Sequence, residues 1–241
     1  KFLPVALILL LQLRITFLMV LRQMGLFYRF KVSLILEHIQ KNEISKNEMD
    51  AIRNLMPDGA PTLKDADSVN NLLKNLTYGH QFIINQVADV FEIDFGTFLR
   101  KQKPYMSKSQ ILKLIDDGFT VGAHSIDHPL YQKLDLVEQL EQTKESLRYV
   151  QEVLRVPYRV FAFPFTDDGV STEFFDELYN KEKPLVDLTF GTAGLKTDTH
   201  PKHLQRIAMD GTELTALQSV KAAYAASAVQ QMFGINRVKR K

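Results

Sequence analysis

Apolar and polar positions divide the chain into three unlike stretches. Residues 2–13 are almost wholly apolar, and a second apolar run over 15–21 follows Arg14. This pattern predicts a buried helix over about 4–13 and a buried strand over about 15–20. From residue 27 to about 100 the apolar positions fall at helical spacing. Phe30, Leu34, Ile35 and Ile39 form one such line, and Phe82, Ile83, Val87, Val90 and Phe91 form another. Between them, residues 41–74 are polar and broken by Pro57, Gly59 and Pro61, which predicts short helices outside the core. Asp94-Phe95-Gly96-Thr97 reads as a turn.

Beyond residue 101 helices and strands alternate. Ser107 and Gln110 form a capping box, and the helix they open, over 108–117, should stop at Gly118. A short apolar run over 119–123 reads as a strand. Asp135 and Glu138 open the next helix, whose apolar line is Val137, Leu140, Leu147, Val150 and Leu154. A strand over 160–163 runs into an exit loop, 164–169, and a short helix over 172–179. Further strands are expected over 185–190, closing at Gly191-Thr192-Ala193-Gly194, and over 205–209. A final helix spans 214–233, with Gly234 at its end. Strands separated by helices imply parallel pairing with crossovers. Parallel topology brings the loops 124–129, 164–169 and 191–194 to one face, at the strand C-termini.

The chain's 241 residues, 45% hydrophobic, suffice for one sizeable core. The expected organisation is a single domain over 1–241, with a helical insertion at about 27–100 and the main barrel repeats over 101–241. A formal charge of +2 leaves no broad basic field, which argues against nucleic acid as a partner. The C-terminal Arg237-Val238-Lys239-Arg240-Lys241 reads as a solvated basic tail. With no cysteine, disulfides, thiolate ligands and cysteine nucleophiles are excluded. A cytoplasmic location is expected, or the cell envelope or secretion if upstream sequence carries a signal. With no tryptophan, a glycan site must use Tyr and Phe as its platform. Arg14 interrupts the apolar N-terminus short of the ~20 residues a membrane span needs. An anchor formed by residues 2–21 stays open as an alternative.

The densest chemistry follows the strand at 119–123, in His124-Ser125-Ile126-Asp127-His128-Pro129. A strand end that delivers two imidazoles four residues apart reads as a metal site, since neutral imidazole is a preferred zinc ligand. Two histidines, a carboxylate and water make an open hydrolytic centre. The candidate carboxylates are Asp127, Asp167 and Asp168. Asp127, between the histidines, is expected to point away or to brace the loop. Asp167 and Asp168 are weak catalytic candidates, because Asp-Asp-Gly169 is also good turn chemistry. His200 and His203 precede the last strand, and one could serve as a proton donor. His38 and His80 read as ordinary helix residues. Arg159 and Arg206 flank strands and read by default as surface residues, though each could brace a carboxylate.

His124-Ser125-Ile126-Asp127-His128 resembles the His-Ser/Thr-x-x-His motif of the polysaccharide deacetylases, the NodB-homology group of carbohydrate esterases. The lead-in through Gly118 and Phe119 is similar too. Phe161-Ala162-Phe163-Pro164-Phe165 resembles the family's aromatic-proline segment. Leu188-Thr189-Phe190-Gly191-Thr192-Ala193-Gly194 and Gln205-Arg206-Ile207 fall where later barrel strands belong, and the apolar N-terminus resembles the family's first helix and strand. The resemblance implies a distorted TIM-like (β/α) barrel, a divalent metal, usually zinc, and hydrolysis of acetyl groups from N- or O-acetylated sugars. It makes His124 and His128 the metal ligands, Ser125 the loop support, and Phe163, Pro164 and Phe165 the substrate wall. The family's first motif, Thr-Phe-Asp-Asp-Gly, supplies a carboxylate ligand and the catalytic base. This sequence lacks it, so the expectation is an N-terminally truncated barrel with impaired activity, or a non-catalytic glycan-binding or structural module on the same scaffold. Thr166-Asp167-Asp168-Gly169 is similar to that motif only in letters, and the arginine of the aromatic-proline segment has no counterpart.

Overall fold

The computed structural model describes residues 15–18, 25–56, 62–207, 214–238 and 240. The helix expected over 4–13 lies outside them. Two compact units divide the chain: Lys1–Val20 with Ser107–Lys241, and Leu21–Met106.

The Leu21–Met106 unit is helical. It contains α1 (Tyr28–Lys41), α2 (Lys46–Leu55), α3 (Ala66–Asn75), α4 (Gln81–Val90) and α5 (Phe95–Gln102). Ser45 with Glu48, and Asp65 with Ser68, form reciprocal capping boxes that fix where α2 and α3 start. The polar stretch 41–74 contributes to a core after all. Met49, Ile52, Val69 and Leu73 join Ile35, Ile39, Ile84 and Val87 in one buried cluster. Two apolar residues at helical spacing are enough to bury one face of a short helix. Asp94 opens a helix and not a turn, its side chain accepting the Thr97 N–H at 3.0 Å.

The other unit is mixed α/β. It contains β1 (Ile15–Leu18), α6 (Lys108–Asp116), β2 (Thr120–Ala123), α7 (Leu136–Arg148), β3 (Val160–Ala162), α8 (Thr172–Leu178), β4 (Leu188–Gly191), β5 (His203–Gln205) and α9 (Ala216–Met232). The strands form one five-stranded parallel sheet in chain order, β1-β2-β3-β4-β5. Ser107 and Gln110 cap α6 reciprocally, and Gly118, at φ +86°, turns the chain into β2. β5 lies two residues earlier than expected, and residues 208–213 lie outside the described ones.

The sheet presents two unlike faces. Val121, Ala123, Phe161 and Phe163 share a cluster with Ile111 of α6, Leu147 of α7 and Phe174 and Phe175 of α8. Val160, Ala162 and Phe190 form a second cluster to which no helix residue contributes among the described residues. Side chains alternate between these faces along β3, so a three-residue strand is buried on both sides.

The inward side of α7 differs from the expected line. Val137 is 74% exposed, whereas Gln139, Thr143, Ser146 and Leu147 are buried. Hydrogen bonds make this possible. Gln139 Nε2 donates to the Tyr131 carbonyl at 2.7 Å, and the Tyr131 and Thr143 hydroxyls lie 2.9 Å apart. No described helix is long and apolar enough to cross a membrane.

Candidate functional site

β2 ends at Ala123, and the next residue, His124, packs against β3. Its Nδ1 lies 2.7 Å from the Ala162 carbonyl oxygen. A carbonyl only accepts, so Nδ1 carries the proton and Nε2 carries the lone pair. Burial holds the imidazole down, to about 4, so it is neutral at physiological pH. The His128 ring stands 4.9 Å from the His124 ring, centroid to centroid.

The loop between them is held from within. Ser125 is buried, and its Oγ accepts the His128 N–H at 3.1 Å. Gln142 of α7 accepts the Ile126 and Asp127 N–H groups, both at 3.0 Å, and donates Nε2 to Asp127 Oδ2 at 2.9 Å. Asp127 is thus oriented toward α7 and braces the loop. Ser125, His128 and Phe165 all have left-handed backbones, with φ of 65°, 54° and 55°. Such strain costs about 1–3 kcal/mol per residue and collects where geometry is imposed for function. Ser125→Ala should lower unfolding free energy by about 1 kcal/mol and loosen the His128 backbone, read from denaturant melts and amide exchange at His128.

The aromatic-proline segment separates into support and surface. Phe163 and Pro164 are buried. Phe163 packs among Tyr131, Phe161, Phe174 and Phe175. Phe165 is 40% exposed, and its ring meets that of His128 edge-on at 4.4 Å. Arg206 ties the rim together, donating Nε to the Gly191 carbonyl at 3.0 Å and Nη2 to the Phe163 carbonyl at 3.1 Å. Arg159 braces a different carboxylate, Asp187, with Nη2 2.5 Å from Oδ1.

Asp167 joins a separate buried cluster. Its Oδ2 lies 3.0 Å from His203 Nε2 and 2.6 Å from Arg240 Nη2, and its Oδ1 accepts the Thr192 N–H at 2.9 Å. Arg240 also pairs with Asp198. Asp167, Asp198 and His203 make up a buried group whose ligand atoms lie within 4.8 Å, close enough to hold a metal ion. The Arg240 guanidinium already supplies a cation there. Burial alone would raise the Asp167 pKa, but the bonds from His203, Arg240 and Thr192 outweigh it and hold the carboxyl well below its usual range. A carboxylate so engaged is a poor proton acceptor. Asp168 is exposed, its N–H bonded to Thr166 Oγ1 at 3.0 Å. Gly191 permits the cluster, because a Cβ there would collide with the Asp167 carboxylate and the Gln205 side-chain oxygen. The basic tail is therefore not wholly solvated. Arg240 is an internal ion-pair partner, and neither it nor Asp198 stood out from local sequence.

The polysaccharide deacetylase family model matches residues 79–181. Over that segment the chain is similar to the polysaccharide deacetylases. The match carries His124, Ser125, His128 and the 163–169 segment, and it ends before Asp198, His203 and Arg240. It begins at Gly79, inside the helical block that the motif resemblance left out. No curated protein and no solved structure matches the chain.

The neutral His124 gives stability a pH slope. An unfolded imidazole takes a proton near 6.5, whereas the folded one resists until about 4. Between those values the unfolded state binds more protons, so stability falls as pH falls and the loss is complete below the folded value. About 3 kcal/mol should disappear across that window. In His124→Gln this part of the slope should be missing, as judged by urea melts at several pH values.

Proposed function

We propose that this chain is a metal-dependent hydrolase that removes acetyl groups from N- or O-acetylated carbohydrate, with His124 and His128 as two ligands of a divalent ion, zinc by its preference for imidazole. The observation that carries the reading is the pair of facing rings, with His124 fixed in the tautomer that puts the lone pair on Nε2. The donor set fits such an ion, because one imidazole is neutral and its second nitrogen is held by a carbonyl. When bound, the ion supplies Lewis acidity that polarises an acetyl carbonyl and acidifies an attacking water. The chain's own residues shape the approach. Phe165 gives an apolar wall beside His128, Phe163 and Pro164 support that wall from below, and Ser125 and Gln142 hold the ligand loop.

The scaffold reading is a distorted (β/α) barrel, one deacetylase domain into which the helical unit is inserted between β1 and α6. Two features support it: strand order follows chain order, and the helices α6, α7 and α8 contribute to one face of the sheet. A doubly wound sheet would carry helices on both faces.

Turnover by this chain is expected to be slow, since its sequence contains no Thr-Phe-Asp-Asp-Gly segment to supply a third ligand and a base. The same lack favours a second reading, a glycan-binding module without catalysis. Zinc titration of the purified chain, with acetate release from acetylated chitooligosaccharides and acetyl-xylan, separates the two. Stoichiometric zinc with slow acetate release is expected, and His124→Ala should reduce turnover by at least about 100-fold. Glycan binding with neither zinc nor acetate release would leave only the module.

A further inference from the structure

We infer that the cavity bordered by the exit loops of β3 and β4 is a subsite for a carboxylated sugar unit, neighbouring the acetylated unit at the histidines; this rests on the carbohydrate reading above. The cavity measures about 470 Å³ and is lined by Thr166 and Asp168 after β3, Lys196 after β4, and Gln230 and Arg237 near the C-terminus. Chain continuity joins it to the histidine rim. Phe165 meets the His128 ring, and the next residue, Thr166, already lines the cavity.

Neither Lys196 nor Arg237 forms a salt bridge among the described residues. Asp167, on the same lining, shares the Arg240 guanidinium with Asp198. Two uncommitted cations therefore face one uncommitted carboxylate, Asp168. The backbone holds them in place. Thr197 and Arg237 form a parallel bridge, with the Thr197 N–H donating to the Asn236 carbonyl at 3.1 Å and the Val238 N–H to the Thr197 carbonyl at 2.8 Å. A guanidinium offers two parallel N–H groups that match a carboxylate. Thr166, Gln230 and Asp168 supply the hydroxyl and amide groups and the acceptor that sugar hydroxyls require. A neutral glycan would leave both cations unused, so the cavity discriminates by charge.

Calorimetric binding of unacetylated oligogalacturonate, against xylo-oligosaccharide of equal length, tests this without turnover. The acidic oligomer should bind about tenfold tighter, and Lys196→Ala/Arg237→Ala should remove that preference. Both side chains reach solvent, so the variant should keep the parent's melting temperature. A control, Lys101→Ala/Lys103→Ala, changes exposed cations elsewhere and should keep the preference. Equal affinity for the two oligomers, retention of the preference in the Lys196/Arg237 variant, or equal loss in the control overturns the subsite. Failure of acetate release in the zinc assay bears on deacetylation alone, because these affinities need no catalysis.

Discussion

Replacing Arg240 with methionine should destabilise the α/β unit by about 3–5 kcal/mol, the usual cost of stranding buried charges. The Arg240 side chain is 3% exposed and pairs with two carboxylates that are themselves buried, Asp167 and Asp198. Its guanidinium also lies 4.2 Å above the Phe175 ring. Methionine keeps apolar packing on that ring while removing the charge, so the loss reports mainly the ion pairs. Adding Asp198→Asn should recover part of the stability, since one stranded charge is gone. The pH dependence has a definite sign. In the parent both carboxyls are held below their ordinary value of 3.8. Their contribution is therefore present above that value and is lost as pH falls through the folded ones. The methionine variant lacks this contribution, so the gap between the two proteins should narrow in acid. Urea unfolding at neutral and acid pH measures both effects. A loss below about 1 kcal/mol at neutral pH would show that the cluster behaves as an exposed pair.

That cluster also marks where sequence reading stops. The strands β2, β3 and β4, the capping boxes at Ser107 and Asp135 and the stop at Gly118 were legible because each signal is local. The two histidines were legible for the same reason, since one loop carries both. Arg240 lies 73 residues from Asp167 and 42 from Asp198. A charge run at a chain end looks solvated until the fold brings such partners to it. The inward face of α7 was hidden differently. Gln139, Thr143 and Ser146 are polar, and only their hydrogen bonds make burial tolerable. Asp167 shows both problems at once. Its Asp-Asp-Gly setting could not tell a base from a turn, and its partners all come from other segments.

The substitutions Phe163→Ala and Phe165→Ala, two residues apart on the same segment, should have nearly opposite consequences. The Phe163 ring is fully buried and touches Tyr131, Phe161, Phe174, Phe175 and His203, with centroids 5.2–5.9 Å away. Truncation leaves a cavity at the centre of the main core and should cost about 3–5 kcal/mol. Phe165 is 40% exposed and has a left-handed backbone. Its truncation removes little buried area, so stability should change by less than about 1 kcal/mol. It does strip the apolar wall from His128, which should weaken glycan binding at the rim and leave the fold intact. Thermal melts and glycan titration of the two variants make the comparison. If Phe165→Ala unfolds the unit while Phe163→Ala leaves it stable, the division of this segment into a buried support and an exposed wall is wrong, and the substrate platform must be sought on another loop.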